Sequence, residues 1–327
     1  MLRLPELNIL TPSTLIEALR QLSNVESTLV AGGTDLYPNL KRRQVSYRNL
    51  VSLSGINSLR EISGTAETGF VIGAMTTLTE IVNHPIISTH YPALAQAALL
   101  VSTPQLRNSG TLGGNVCLDT RCMYYNQNEL WRQALGHCLK SYGSICQAAT
   151  KSRRCYAVSS ADTVPILVAL AARLRLKGLD NAREIPIEDF YGQDGINYLT
   201  KKPDEILTAI VLPPARELKM VYLKIRKRNS FDFPVAGVAV VLEKDVDHKV
   251  SKVRVVLGAL ESRPLLLQEA TAVMVGNKLT KEVIDTVADL AFKKAKPLDN
   301  TDMGPAYRKQ MARVLTTRAL QQLASCT

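Results

Sequence analysis

Long apolar runs are missing from this sequence of 327 residues. No stretch approaches the roughly 18 consecutive apolar residues that a membrane-spanning helix needs. The first residues include Pro5 and Glu6, where a secretion signal would have an apolar core. These absences favour a soluble cytoplasmic protein without a membrane partner.

Familiar catalytic and nucleotide-binding signatures are also scarce. The four histidines are scattered, and they form neither a Ser/His/Asp arrangement nor an HExxH motif. There is no GxGxxG fingerprint and no P-loop. The common dinucleotide and nucleoside-triphosphate folds therefore have no support, and no residue is predicted to be catalytic.

Acidic residues are fewer than basic ones. The chain has 29 Asp and Glu and 40 Lys and Arg, which gives a net charge of +11. Such a surface favours nucleic acid, an anionic ligand or an acidic protein as a partner. Aromatic residues, which nucleic-acid interfaces commonly use, make up only 5% of the chain. The composition thus weighs against nucleic acid.

Cysteine is almost confined to one segment. Five of the six cysteines fall within the 39 residues from Cys117 to Cys155, and the sixth is Cys326. A disulfide framework is typical of small secreted chains, and no secretion signal is present. The clustering therefore indicates metal or redox chemistry.

The patterning predicts an α+β protein of at least two parts, with a boundary at Pro213-Pro214. Helices are predicted over residues 15–22, 36–41, 92–101, 166–174, 281–295 and 307–323. Strands are predicted over 27–31, 49–53, 70–74, 185–190 and 205–212, and an antiparallel sheet over 222–226, 235–242 and 252–260. We expect parts at 1–55, 56–214 and 215–327, with a cysteine-rich insert at about 118–157.

Two glycine turns are candidate binding loops. Gly32-Gly33-Thr34 lies between a predicted strand and a predicted helix, where backbone N–H groups favour a phosphate. Gly113-Gly114-Asn115 is a second such turn. Taken alone, each is as well explained by an ordinary tight turn.

Together and in this order, the turns carry a family resemblance. The segments Leu29–Leu36 (LVAGGTDL) and Arg107–Asn115 (RNSGTLGGN) resemble the FAD-binding subunits of the molybdenum hydroxylases, such as xanthine and carbon monoxide dehydrogenases. Further matches follow in the family's order: Ser160-Ala-Asp162 before Pro165, Glu205-Ile-Leu207, Lys224, Val255–Ala259 and Tyr307-Arg308. The resemblance spans nearly the whole chain. It implies a two-part FAD-binding domain, divided at about residue 55, followed by a C-terminal α+β domain.

The resemblance also implies the cofactor-binding residues. The FAD pyrophosphate would be held by the first turn and completed from the second. Asp162 would contact the ribityl or ribose region, Ile206 and Leu207 would lie by the isoalloxazine, and Lys224 would lie near the ring. The full set is Leu29, Val30, Ala31, Gly32, Gly33, Thr34, Asp35, Leu36, Thr111, Gly114, Asn115, Asp162, Ile206, Leu207 and Lys224.

Plainer interpretations exist for four of these residues. Without the family, Ile206 and Leu207 are best explained as strand core. Asp162 is placed to cap the following helix, and Lys224 reads as a solvated charge.

The chain departs from the family in one connection. Asn115 and Asp162 have 46 residues between them, which is unusually long for a loop. This connection contains Cys122, Cys138, Cys146 and Cys155. No CxxC pair occurs, so spacing alone leaves a [4Fe–4S] cluster, zinc and free thiols open. Cys117 is read as a small buried residue, and neither Cys326 nor His137 is expected to be a ligand.

Within the family, one reductive branch carries such an insert with a [4Fe–4S] cluster, and the resemblance implies Cys122, Cys138, Cys146 and Cys155 as its ligands. Electrons from reduced ferredoxin would enter there, pass to FAD and continue to partner subunits. Those partners would be a small [2Fe–2S] subunit and a large molybdopterin-binding subunit, in a heterohexamer with two copies of each chain.

The insert is basic, which suits docking of an acidic electron carrier. It contains Arg121, Arg132, Lys140, Lys151, Arg153 and Arg154 against Asp119 and Glu129. The plainer interpretation is a solvated loop.

Two alternative functions remain at this stage. The first is the FAD subunit of another molybdenum hydroxylase, of the xanthine or carbon monoxide dehydrogenase type. The second is a basic, zinc-stapled nucleic-acid-binding protein, which the net charge and the clustered cysteines favour but which leaves the glycine turns without a purpose.

Overall fold

A computed structural model describes residues 2–215 and 217–325. Cys326 lies outside this range. The described chain contains three sheets that follow one another along the sequence. The predicted α+β fold is confirmed.

The first sheet is small and parallel, with strand order β1-β3-β2. Its elements are β1 (Asn8–Leu10), α1 (Leu15–Leu22), β2 (Ser27–Val30), α2 (Leu36–Lys41) and β3 (Asn49–Ser52). Thr14 caps α1 by accepting from the Glu17 N–H, and the buried face of α1 packs with Val51 and Leu53. The glycine turn Gly32-Gly33 connects β2 directly to α2, as the sequence predicts.

The second sheet is antiparallel, with strand order β4-β5-β8-β6-β7. Its strands are β4 (Ile62–Thr65), β5 (Gly69–Gly73), β6 (Arg173–Lys177), β7 (Ala182–Pro186) and β8 (Ile206–Leu212). The helices between β5 and β6 are α3 (Leu78–Asn83), α4 (Pro85–His90), α5 (Pro92–Leu99), α6 (Pro104–Ser109), α7 (Leu112–Val116), α8 (Glu129–Ala134) and α9 (Thr163–Ala169). Thr77 and Glu80 form a complete capping box at the start of α3.

The third sheet is the predicted antiparallel one, with strand order β12-β11-β10-β9. Its elements are β9 (Lys219–Ile225), β10 (Ala236–Lys244), β11 (Val250–Gly258), β12 (Leu265–Leu266), α10 (Glu269–Met274), α11 (Lys281–Lys294) and α12 (Pro305–Ser325). Arg308 of α12 is fully buried, and its guanidinium donates to the carbonyls of Val235, Leu298 and Ala259.

The second and third parts share one core. Helix α9 packs on β10 and β11, and α5 packs on β9. Val164 and Leu167 are therefore buried in the same cluster as Tyr222, Ala239 and Val256.

The predicted helix over 166–174 is wrong in its second half. Helix α9 ends at Ala169, and Ala171 adopts a left-handed backbone conformation (φ 53°) that reverses the chain. Residues 173–177 then form β6, in which exposed Arg173 and Arg175 alternate with buried Leu174 and Leu176. This alternation has the period of two that is typical of a strand.

The predicted strand over 185–190 is also wrong beyond Pro186. Residues Ile187–Phe190 form a 3₁₀ turn, and the Ile187 N–H donates to the Ala172 carbonyl. Proline cannot donate a ladder hydrogen bond, so β7 ends there.

The segment expected as an insert, residues 118–157, lies between α7 and α9. Its neck is closed by Arg121 and Val158, which exchange two backbone hydrogen bonds of 2.8 and 2.6 Å. Helix α8 is its one helix within the described residues. Elsewhere the insert is held by turns and by buried side chains.

No helix in residues 2–215 and 217–325 combines the length and the apolar character that crossing a bilayer requires.

Candidate functional site

A cavity of about 740 Å³ opens where the glycine turns of the first two parts meet. Fourteen of the fifteen predicted cofactor-binding residues line it. These are Leu29, Val30, Ala31, Gly32, Gly33, Thr34, Asp35, Leu36, Thr111, Gly114, Asn115, Asp162, Ile206 and Leu207. Lys224 is the exception. It does not line the cavity, but its Nζ pairs with the carboxylate of Asp162, which does. The structure thus brings together residues that are up to 178 positions apart (29 to 207).

The first turn is shaped by a close approach of two backbones. A Cβ atom on Gly32 would lie 1.9 Å from the Ser109 carbonyl oxygen, which only glycine avoids. Gly33 has a φ of +70°, and a Cβ there would meet the Tyr37 ring at 2.2 Å. Within the described chain, the N–H groups of Gly32, Gly33 and Thr34 donate to no backbone carbonyl. They remain available to a ligand.

The second turn faces the first across the cavity. A Cβ on Gly114 would have the Thr111 hydroxyl at 3.0 Å and the Ala31 methyl at 3.9 Å as its neighbours. The Gly114 N–H already donates to that Thr111 hydroxyl (3.0 Å). Gly114 therefore contributes space here, whereas the resemblance implied a place in the backbone cradle.

Asn115 ties the second turn to the far end of the insert. Its side-chain oxygen accepts from the Thr163 hydroxyl (2.6 Å) and from the Thr163 N–H (3.2 Å). Thr163 opens α9, so the chain leaves for the insert and returns to nearly the same point. The cavity wall is consequently continuous despite the 46 intervening residues.

Asp162 and Lys224 form a buried ion pair behind the cavity. The Lys224 Nζ lies 2.9 Å from the Asp162 carboxylate and donates to the Leu100 carbonyl at 3.0 Å. The Tyr222 hydroxyl donates to the other carboxylate oxygen at 2.8 Å. Both charged side chains are less than 5% exposed. Lys224 is therefore not the solvated charge that sequence alone suggests.

Asp162 occupies the N-cap position of α9 without capping it, because its carboxylate makes no hydrogen bond to the helix N–H groups. Burial raises the pKa of Asp162, and Lys224 and Tyr222 oppose that rise. Burial likewise lowers the pKa of Lys224. Each charge is thus tolerated because the other is present.

The apolar end of the cavity is formed at the start of β8. Ile206 and Leu207 are almost fully buried, Ile206 in the core of the first part and Leu207 in that of the second. Both also line the cavity. The strand-core interpretation and the cofactor-wall interpretation are therefore compatible.

The insert docks on the segment that follows α2. Arg132 is 1% exposed, and its guanidinium donates to the carbonyls of Arg43 (2.7 Å) and Arg42 (3.2 Å) and pairs with Glu129. Gln44 and Tyr125 exchange two further hydrogen bonds, of 2.7 and 3.1 Å. These contacts fix the insert against the part of the chain that carries the first glycine turn.

The four predicted metal-ligating cysteines are buried in the insert and form no disulfide. Cys122, Cys138, Cys146 and Cys155 are 5–7% exposed. Cys122, Cys138 and Cys155 belong to one buried cluster with Tyr125 and Ala157. In the described chain, no three His, Cys, Asp or Glu side chains are close enough to hold a single metal ion.

A backbone N–H group points at one of these sulfurs. The Ala157 N–H lies 3.4 Å from the Cys155 Sγ, whereas the Tyr125 N–H donates to the Cys122 carbonyl (3.0 Å). Burial nevertheless raises the pKa of Cys122 to about 12 and that of Cys155 to about 11. Without a metal, both are thiols at neutral pH.

Cys117 differs from the expectation of a small buried residue. It is half-buried and lines the cavity. Burial raises the pKa of its thiol to about 11. It precedes the insert in sequence and is not part of the buried cluster that contains Cys122, Cys138 and Cys155.

Sequence reasoning left many cavity residues unassigned to the site, and three of them have large polar or aromatic side chains that face it. Arg121 and Tyr198 come from the insert neck and from the loop before β8, and Phe233 comes from the loop between β9 and β10. None belongs to a family motif. A lone arginine or aromatic residue in a loop carries no positional signal until the loop is folded.

Replacing Lys224 by Met should lower the free energy of unfolding by about 3–5 kcal/mol, because it leaves the buried Asp162 carboxylate unpaired. Without Lys224 the folded-state pKa of Asp162 rises further above its unfolded value. The loss should therefore be small below about pH 4 and grow as pH rises.

The matched control is Lys227→Met, which removes an ion pair with Asp302 whose side chains are 59% exposed. It should cost at most about 1 kcal/mol at any pH. Urea unfolding at several pH values measures both variants. Equal effects of the two substitutions would contradict the assigned role of Lys224.

Two family models together match nearly the whole chain. Residues 5–215 match the family described as the FAD binding domain in molybdopterin dehydrogenase. Residues 221–323 match the CO dehydrogenase flavoprotein C-terminal domain. These matches leave the nucleic-acid-binding alternative without support.

Individual relatives are similar over nearly their full length. The carbon monoxide dehydrogenase medium chain of Hydrogenophaga pseudoflava is 27% identical, over 97% of this chain and 96% of that protein. The nicotinate dehydrogenase FAD-subunit of Eubacterium barkeri is 28% identical, over 86% of each chain.

A solved structure shares the fold. The reconstituted CO dehydrogenase from Oligotropha carboxidovorans superposes with a TM-score of 0.81 at 26% identity, covering all of both chains. Together with the two family matches, this result shows that the chain belongs to the FAD-binding subunits of the molybdenum hydroxylases.

Proposed function

We propose that this chain is the electron-transfer subunit of a multi-subunit molybdenum hydroxylase. The observation that carries the proposal is the cavity, in which both glycine turns and an apolar wall converge. In the complex, a large subunit would bind molybdopterin and substrate, and a small subunit would hold [2Fe–2S] clusters. This chain would be an oxidoreductase subunit without a substrate site of its own.

The cavity residues fit FAD. The free N–H groups of the first turn suit a diphosphate, and the glycines leave the space that a Cβ would fill. Ile206 and Leu207 would exclude water from the ring system. Bound FAD would supply the exchange between one- and two-electron carriers.

The names of the relatives favour a hydroxylating or oxidising complex. They include medium chains and FAD subunits of carbon monoxide, xanthine, nicotinate and glyceraldehyde dehydrogenases. Because this spread covers unrelated substrates, the substrate of the complex is set by the large subunit. The xanthine or carbon monoxide dehydrogenase type fits these relatives better than a reductase does.

Removing FAD from the purified complex should abolish electron transfer between the partner's iron–sulfur clusters and a soluble electron carrier. The clusters themselves should still be bleached by dithionite, because FAD is not needed to bind them. Stopped-flow absorbance of the complex before and after flavin removal measures this, and added FAD should restore the rate. An unchanged rate in the flavin-free complex would contradict the proposal.

A second candidate function rests on the insert. Within the same family, we propose the resemblance to the FAD subunit of 4-hydroxybenzoyl-CoA reductase, which dehydroxylates its substrate to benzoyl-CoA. The supporting observation is the burial of Cys122, Cys138, Cys146 and Cys155 in a folded insert, with the Ala157 N–H directed at the Cys155 sulfur. Hydrogen bonds to sulfur are typical of iron–sulfur sites.

The arrangement favours a cluster over zinc. A zinc ion needs its thiolates around one atom, and the described residues have no group placed that way. In a [4Fe–4S] cluster each thiolate binds a different iron, so the four sulfurs need not converge on one atom. The Cys122 and Cys155 thiols would lose their protons on binding it.

The electron donor of this candidate would be an acidic protein such as ferredoxin. Half of the predicted basic set is not available to it, because Arg121, Arg132 and Lys140 are buried and paired with Asp35, Glu129 and Asp119. Lys151 and Arg153 are exposed just before Cys155. The docking surface would therefore be the short segment 151–154, a smaller area than the sequence indicates.

Iron content tests the second candidate. The anaerobically purified chain should contain about four irons and four acid-labile sulfides, and Cys138→Ser and Cys146→Ser should each lose them. Cys117→Ser is the matched control, because Cys117 lies outside the insert's cysteine group, and it should retain the iron. Metal and sulfide assays with the visible spectrum give the readout.

Flavin without iron in the wild-type chain would contradict the reductase function and its ferredoxin donor. The first candidate, the FAD subunit of another molybdenum hydroxylase, would still stand.

A further inference from the structure

Arg121 stands out among the cavity residues because its guanidinium is only partly used. It pairs with the Asp35 carboxylate, and its side chain is 14% exposed. The Cζ atom lies 4.0 Å from the centroid of the Phe233 ring. Its Nε is buried and has no hydrogen-bond partner.

These contacts leave one part of the guanidinium free. The ring of Phe233 covers a face of the group, and Asp35 occupies one edge. Hydrogen bonds of a guanidinium lie in its plane, so the remaining N–H groups can serve only a ligand beside it. A buried donor without a partner is unfavourable, and a ligand that accepts from the guanidinium would relieve part of that cost.

The place of Arg121 in the cavity indicates what the ligand is. Asp35 directly follows the first glycine turn, whose N–H groups are free. Of the other cations on the cavity wall, Lys201 donates to the carbonyls of Lys202 and Glu205, at the start of β8. Arg42 lies a helix length from Asp35, about 10 Å along α2. Arg121 is thus the cation fixed beside the turn.

We propose that Arg121 binds the diphosphate of FAD, as a contribution of the insert to the flavin site. The proposal rests on FAD binding in the cavity and extends it to a residue outside the family motifs. A planar N–H fork suits two phosphate oxygens, and Asp35 holds the group in place. An arginine guanidinium stays charged at neutral pH.

The backbone of Arg121 connects the flavin site to the proposed cluster site. Arg121 pairs with Val158 at the insert neck and immediately precedes Cys122. A flavin-site residue and a proposed cluster ligand are therefore one peptide bond apart. Ordering of the neck and binding of the diphosphate would stabilise each other.

The test is the affinity of the flavin-free full-length chain for FAD and ADP, measured by calorimetry. Arg121→Gln should weaken both about 10- to 100-fold, as expected for loss of a charge-assisted hydrogen bond to phosphate. Adenosine, which lacks phosphate, should bind the variant and the wild type equally. Arg48→Gln is the matched control, because the Arg48 side chain is exposed, pairs with Glu26 and lies outside the cavity; it should leave FAD affinity unchanged.

Arg121→Lys keeps the charge but loses the fork, so it should fold and bind FAD several-fold more weakly. If Arg121→Gln does not fold, the FAD affinity of Arg121→Lys tests the proposal instead. Unchanged FAD and ADP affinity in the folded Arg121 variants would overturn the proposal, as would an equal loss in Arg48→Gln. A wild-type chain that binds no FAD would instead refute FAD binding in the cavity itself.

Discussion

The site depends on a contact between two backbones. Gly32 lies so close to the Ser109 carbonyl that no Cβ can be accommodated, and this approach joins the first glycine turn to the end of α6. The second turn follows two residues later, at Thr111. Because the first turn belongs to a parallel sheet and the second to an antiparallel part, neither part alone encloses the cavity. The cavity forms because the two parts meet at Gly32.

Buried cations hold the remaining pieces around this contact. Lys224 joins the third sheet to the start of α9, Arg132 joins the insert to the segment after α2, and Arg308 joins α12 to the loops beside it. Each one satisfies carbonyls or a carboxylate that would otherwise be buried without partners. The strongly basic composition is therefore in part an internal feature, and the net charge of +11 overstates what the surface offers to an acidic partner.

The glycine turns and the order of motifs could be predicted from sequence because each depends on local chemistry. Gly33 has the left-handed backbone that favours glycine, and helix α2 begins where the pattern indicates. Arg121 and Lys224 could not be placed, because the burial of a charge is decided by segments far away in sequence. The same holds for Ala171, whose left-handed conformation ends α9 and turns the expected helix into a strand.

The insert adds a feature to the family's fold while leaving the cavity continuous, because Asn115 and Thr163 close the gap that it makes. Everything proposed for the chain rests on FAD lying in that cavity. Flavin analysis of the anaerobically purified full-length chain tests this most directly, by releasing the cofactor and separating FAD from FMN. The account predicts stoichiometric FAD and no FMN, since the two turns form a site for a diphosphate. A chain without flavin, or with FMN in its place, would contradict it.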